Sequence, residues 1–510
     1  IFLPIVLAGV LGLRLAVARL PGGAVWGPRA AMLAWIAAAS LVFYAYWNPV
    51  HLPLLLGSVA GNYLIGTALG RTASARRANG LVALGAALNL GVLGYFKYRN
   101  FALETAASLA GTELSLSPLV LPLAISFFTF QQIAWLVDLR RGRIGLESPL
   151  RYLFFVSFFP QLIAGPIVHY REIMPQVRAP GWLRFDARLF ATGVAMFAIG
   201  LGKKVLVADA MAPAVDRVYA AAASGEAVST LAAWGGAVGF GLQLYFDFSA
   251  YADMALGLAA MLGLHLPINF WSPYRAGSMI AFWRRWHITL SRFLRDHIYI
   301  PLGGNRRGPT RQAYNMMATM VLGGLWHGAG WTYVLWGAVH GGLLVLNHAW
   351  RKLAAAAPLP RPVARTVGAA GAAVTFVAVM LAWLPFRAPD IATTGRMVES
   401  ALSPADLAAR WPGAWSLVLA VTEGRPPGLV LWCALGLAVV WLLPNSHRLT
   451  ARFDPEVEGT GTIAPAATLA ARPVRGVGPL ALGALSGALI LASLKALLVA
   501  PSQEFFYFAF

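Results

Sequence analysis

Three stretches of this chain gather side chains that can hold or move a proton inside otherwise apolar sequence. The first is Gln243-Leu-Tyr-Phe-Asp247-Phe-Ser-Ala-Tyr251-Ala-Asp253, with two carboxylates. The second runs from Phe282-Trp-Arg-Arg-Trp-His287 through Arg295-Asp296-His297 to Asn305. The third is Leu322-Gly-Gly-Leu-Trp-His327-Gly-Ala-Gly-Trp331, followed by His340 and His348. An imidazole titrates near working pH, so it suits general-base chemistry. His327 falls near the middle of the apolar run Met316–Leu335, among Gly323, Gly324, Gly328 and Gly330, whose small size lets a helix or a substrate come close. A core histidine bonded to a backbone carbonyl is the competing reading, and the position of His327 in a membrane segment favours function. For His287 the two readings balance, because Trp283, Arg284, Arg285 and Trp286 also suit a helix anchored at the headgroups. Asp253 reads as one half of an ion pair with an arginine, and Asp247 is open between that and a proton relay. His51, His169, His265 and His447 fall near span ends or loops. No His-Glu-x-x-His, Gly-x-Ser-x-Gly, phosphate-binding loop or dinucleotide fingerprint is present, and no metal site is expected.

The elements that carry these residues are membrane elements. Of 510 residues, 58% are hydrophobic and 12% charged, against about 25% charged in a soluble domain. Spans of roughly 20 apolar residues are expected at Ala30–Trp47, Leu52–Leu69, Leu81–Tyr98, Leu119–Val137 and Gly428–Leu443. The net charge of +20 sits in short loops between spans, which points to anionic lipid headgroups rather than nucleic acid. The single cysteine, Cys433, reads as a small buried hydrophobe. The chain opens Ile1-Phe2-Leu3-Pro4 and enters an apolar run at once, which reads as a first span short of a few residues, with no cleavable signal peptide.

Basic junctions at Arg71–Arg77 and Asp138–Arg143 alternate with Asn100–Pro118, a predicted loop without Lys or Arg. The alternation puts the two basic junctions in the cytoplasm and that loop outside. Tyr152–Tyr170 carries Pro160, Gly165 and Pro166 between two basic flanks, the pattern of a re-entrant hairpin buried in protein. Asn269–Arg311 reads as amphipathic and partly re-entrant. The fold expected is all-α: a polytopic membrane protein of about 11–13 membrane segments, re-entrant hairpins included. It is expected to form one domain over 1–510, with a catalytic core over about 150–350.

At Phe282–Asn305 (FWRRWHITLSRFLRDHIYIPLGGN) and Leu322–Trp331 (LGGLWHGAGW) the sequence resembles the membrane-bound O-acyltransferase family, closest to its alginate-acetylating bacterial members. Val42–Pro49, Leu93–Phe101, Phe158–Val168, Gln243–Gly257 and Phe505–Phe510 resemble it too, so the likeness covers nearly the whole chain. Ala250, Phe293 and His297 depart from the pattern, which leaves open the acceptor and the lining of the tunnel.

The resemblance implies a fold around a central tunnel, in a bacterial inner membrane. His327 would be the catalytic histidine, and His287 the second signature position, held by His or Asn across the family. Trp326, Gln243, Asp247 and Asn305 would support the site or line the tunnel. No bound cofactor is implied; acetyl-CoA or another acyl thioester would be the cytoplasmic donor. A periplasmic acetyltransferase partner and a polysaccharide would receive the acetyl group. The alternatives are D-alanyl transfer to teichoic acid, and a proton-relaying transporter or export scaffold.

Overall fold

A computed structural model describes residues 1–18, 26–163, 165–356, 360–403, 428–450 and 478–499. Every regular element among them is helical. Among the described residues six helices are long and apolar enough to cross a membrane: Gly27–Trp47, Pro49–Arg71, Ala75–Leu109, Ala187–Ser224, Thr366–Arg387 and Pro479–Val499. Phe2–Val17 and Leu429–Leu442 are shorter apolar helices. Such helices satisfy their own backbone hydrogen bonds, which is what lipid demands of a span. The chain is a polytopic α-helical membrane protein.

The described chain forms two compact units. The first is built mainly from Ile1–Phe197 and Ala252–Ile268, the second mainly from Ala198–Tyr251 and Asn269–Leu449. In the first unit, the predicted span Leu81–Tyr98 belongs to a longer helical stretch. Helix continues from Ala75 through a π-turn at Gly94–Tyr98 and on to Leu109. The first half of the expected loop Asn100–Pro118 is therefore helix. Ala102, Leu103, Glu104, Ala106 and Ala107 are good helix formers. The stop comes at Gly111, whose φ of 71° closes the helix in the left-handed region.

Tyr152–Tyr170 is broken into the end of helix Pro149–Ser157 and the short helix Phe159–Leu162. Phe154, Phe155 and Phe158 are fully buried. Side chains of the first unit meet the interrupted backbone: Ser40 Oγ accepts from the Phe159 N–H at 3.1 Å, and Gln161 Nε2 donates to the Phe155 carbonyl at 2.9 Å. Buried backbone that leaves the helix needs this kind of protein partner.

In the second unit the dominant feature is a helical hairpin, Gly308–His327 against Trp331–Ala356. A Cβ at Gly324 would collide with the Tyr333 backbone carbonyl, and one at Gly337 with the Met320 carbonyl. The two backbones touch where only glycine permits it, the small-residue mode of helix association in lipid. The terminal Phe505–Phe510 and most of 445–476 lie outside the described residues.

Candidate active site

His327 is the last residue of helix Gly308–His327, not a mid-span residue. Gly328 is extended (φ −157°, ψ 150°) and ends the helix, so the imidazole sits at the turn of the hairpin. The apolar run Met316–Leu335 is continuous in hydropathy but reverses direction at 328–330, a place where Gly-Ala-Gly cannot sustain a helix. The glycines around His327 serve packing: Gly323 lies against Leu294, and Gly324 and Gly328 against Tyr333. The imidazole is 3% exposed. It meets Trp326 and Trp336 edge-on, each with ring centroids 5.0 Å away, and Phe386 at 5.2 Å.

His287 is enclosed in protein rather than presented on a helix surface. It is 0% exposed, with Phe248 edge-on at 4.7 Å and Phe270 stacked at 6.3 Å. Its backbone is left-handed (φ 42°, ψ 54°) at the start of helix Ile288–Leu294. Such a conformation costs a non-glycine residue on the order of 1–3 kcal/mol and is held only where its surroundings over-determine it. Here two backbone hydrogen bonds clamp it from an adjacent extended segment. The Trp271 N–H donates to the Arg285 carbonyl at 2.9 Å, and the Ile288 N–H to the Asn269 carbonyl at 3.0 Å.

Asn269, which sequence reasoning missed, organises the ring as well. Its Oδ1 accepts from the Thr289 N–H at 3.3 Å and the Thr289 hydroxyl at 3.0 Å, and lies 3.1 Å from His287 Nδ1. A backbone N–H can only donate, so the atom facing it is the amide oxygen. Nδ1 of His287 must then carry the hydrogen, which puts the basic lone pair on Nε2. The two imidazoles, 40 positions apart in sequence, have ring centroids 6.4 Å apart. Trp326 lies 6.1 Å from His287 and flanks both. Two buried imidazoles in an aromatic shell form a water-excluding setting for base-assisted attack by a hydroxyl.

The family profile of the membrane-bound O-acyltransferases matches residues 139–384. Over 394 residues, 72% of each chain, the sequence is 40% identical to the peptidoglycan O-acetyltransferase of Helicobacter pylori. This chain belongs to the membrane-bound O-acyltransferase family. It is 41% identical over 384 residues, again 72% of each chain, to "Probable alginate O-acetylase AlgI" of Azotobacter vinelandii. It is also 29% identical to the teichoic acid D-alanyltransferase of Streptococcus thermophilus, over 52% of this chain and 68% of that one.

The remaining expected site residues of this membrane O-acyltransferase fall in different places. Asp247 pairs with a lysine. Lys204 takes it at 2.9 Å and also holds Asp209 at 2.7 Å, and all three side chains are largely buried. Lys204 sits in a π-helical turn, Lys203–Ala208, a distortion frequent at functional sites. Two lysines inside an apolar run were a readable signal, since charge at membrane depth is seldom idle. Gln243 Oε1 is buried with no hydrogen-bond partner among the described residues. Asn305 lies on an exposed turn, and Asn315 rather than Asn305 engages that turn, donating to the Gly304 carbonyl at 2.8 Å. His297 stacks on Phe293 at 4.4 Å. Among the described residues no three His, Cys, Asp or Glu side chains are grouped to hold a metal ion.

Proposed function

We propose that this acyltransferase moves an acetyl group from a cytoplasmic thioester, acetyl-CoA or a related donor, toward an extracytoplasmic polysaccharide of the alginate type or a periplasmic acetyltransferase that modifies it. Its place would be the bacterial inner membrane. The observation that carries the reading is the pair His287 and His327, 6.4 Å apart and buried. His327 takes the proton of the acceptor hydroxyl as its oxygen attacks the thioester carbonyl. The thiolate leaves and the new ester forms; the proton is then available to the departing sulfur. His287 orients the reactants, with Nε2 turned basic by Asn269, and the Trp326 indole stands beside both rings as a donor to the developing oxyanion. The names of the 40% identical relatives, which concern peptidoglycan and alginate, favour acetyl and a glycan acceptor. D-alanyl transfer to teichoic acid is the second reading, on the likeness to the Streptococcus thermophilus enzyme.

The deciding variant is His327→Gln, which keeps hydrogen-bonding capacity but cannot accept a proton at neutral pH. Acetyl transfer by the purified protein should fall by about 10²-fold or more, the usual share of a general base, with insertion and yield unchanged. Retention of most of the activity would move the base elsewhere, to His287 or Asp247.

A further inference from the structure

His340 is one of the buried imidazoles that this mechanism does not use. His340, in helix Trp331–Ala356, is 0% exposed and enclosed by aromatic rings. Trp336 lies 4.8 Å away, Trp283 5.2 Å away and edge-on, and Phe282 6.3 Å away and stacked. Neither ring nitrogen of His340 has a hydrogen-bond partner among the described residues, and the same holds for the indole N–H groups of Trp283 and Trp336. An aromatic cage of this kind would be better filled by phenylalanine, because buried polar groups left unmatched are costly. Trp336 touches His327 with its ring as well, at 5.0 Å. The unmatched atoms therefore adjoin the candidate base.

Their chemistry is specific. A neutral imidazole offers one donor and one acceptor, and each indole one donor. Three donors and one acceptor match a chain of carbonyl oxygens with an occasional N–H, which is what an amide-bearing arm presents. The same helix then runs to a basic end, where His348 feels the charges of Arg351, Lys352 and Arg284. Arg284 directly follows Trp283. From His340 to Arg351 the helix rises roughly 16 Å, at about 1.5 Å per residue.

We propose that His340, with the Trp283 and Trp336 indoles, is a donor-binding site that hydrogen-bonds the amide-bearing arm of the acyl thioester, whose anionic end rests on Arg284, Arg351 and Lys352. The proposal rests on the acyl-transfer reading above. The test uses the purified full chain with acetyl-CoA, and with a truncated acetyl thioester lacking amides and phosphates. His340→Phe removes both nitrogens and keeps an aromatic ring. It should melt no lower than the wild type, and raise KM for acetyl-CoA roughly tenfold with kcat little changed, as loss of binding shared by ground and transition states does. Turnover of the truncated thioester should be the same in both proteins. His340→Gln should recover part of the KM, and Trp283→Phe should raise it if His340→Phe does not fold. An unchanged KM for acetyl-CoA, or equal losses with the two donors, would overturn the donor site and leave acyl transfer standing. A wild type inactive with acetyl-CoA and with the truncated thioester would instead overturn the acyl-transfer reading itself.

Discussion

Asn269 does for His287 what no sequence signal announces. One amide oxygen collects the Thr289 N–H, the Thr289 hydroxyl and His287 Nδ1, and thereby decides which ring nitrogen is basic. Replacing Asn269 by Ala leaves His287 free to adopt either tautomer and deprives two buried Thr289 donors of their acceptor. A hydrogen bond of this kind contributes ~1 kcal/mol, and in a transition state that converts to roughly five- to tenfold in rate. Asn269→Ala should therefore lower kcat by about that factor at little change in KM, measured by acetyl transfer at saturating donor. Asn269→Asp keeps the oxygen and should lose less. At this scale the sequence was informative about residue types and silent about partners. His287 and His327 stand out because an imidazole in an apolar run has few bland uses. Asn269 lies 18 positions from His287 in an unremarkable extended segment, and only the chain reversal at 269–288 brings them together.

The helical hairpin holds His327 at its turn, and the crossing of its two backbones fixes that position. At Gly337 a Cβ would meet the Met320 carbonyl and stand 2.8 Å from Val321 Cα. Backbone cannot swing aside as a side chain can, so Gly337→Val should destabilise the protein by about 1–3 kcal/mol and displace His327 with loss of activity. Gly342 on the same helix has nothing within 4 Å of an added Cβ. Gly342→Ala should be neutral or slightly stabilising, since alanine favours helix by about 1 kcal/mol. Thermal unfolding of the two variants in one detergent separates a steric crossing from a general intolerance of helix substitution. Hydropathy read Met316–Leu335 as one run and missed the turn inside it, because Gly328, Ala329 and Gly330 are as apolar as the helices they separate. The reverse happened at Asn100–Leu109, where polar residues suggested a loop and helix propensity continued the helix. Polarity reports the solvent around a segment, and backbone direction is decided by capping and packing.

At the scale of the membrane, the expected orientation of the first unit's helices follows from where the charges stand. Arg71, Arg76 and Arg77 sit at one end of the helices Leu52–Arg71 and Ala75–Leu93, and the far end of the latter stretch leads to 110–118, without Lys or Arg. The positive-inside bias and attraction to anionic headgroups predict that the arginine end faces the cytoplasm. A reporter fused after Arg77 should be active in the cytoplasm, and one inserted within Gly111–Leu116 should be active outside. The opposite labelling would overturn the predicted orientation of these helices. The polytopic all-helical architecture was legible in the sequence because each span is a local property of about 20 residues. The pairing of Lys204 with Asp247 was not legible, because Asp247 lies on another helix, Thr230–Met261, and the distance between them is a product of folding.

The left-handed backbone at His287 narrows the alphabet available to that position. Glycine adopts such a φ freely, and asparagine, aspartate and histidine are the other residues most often found there. The site asks separately for a ring nitrogen, which only histidine among these supplies. Asparagine satisfies the backbone and retains a polar tip; it is also the alternative that the family resemblance assigns to this position. What looks in a sequence like a choice between two side-chain chemistries is thus also a vocabulary written by one torsion angle.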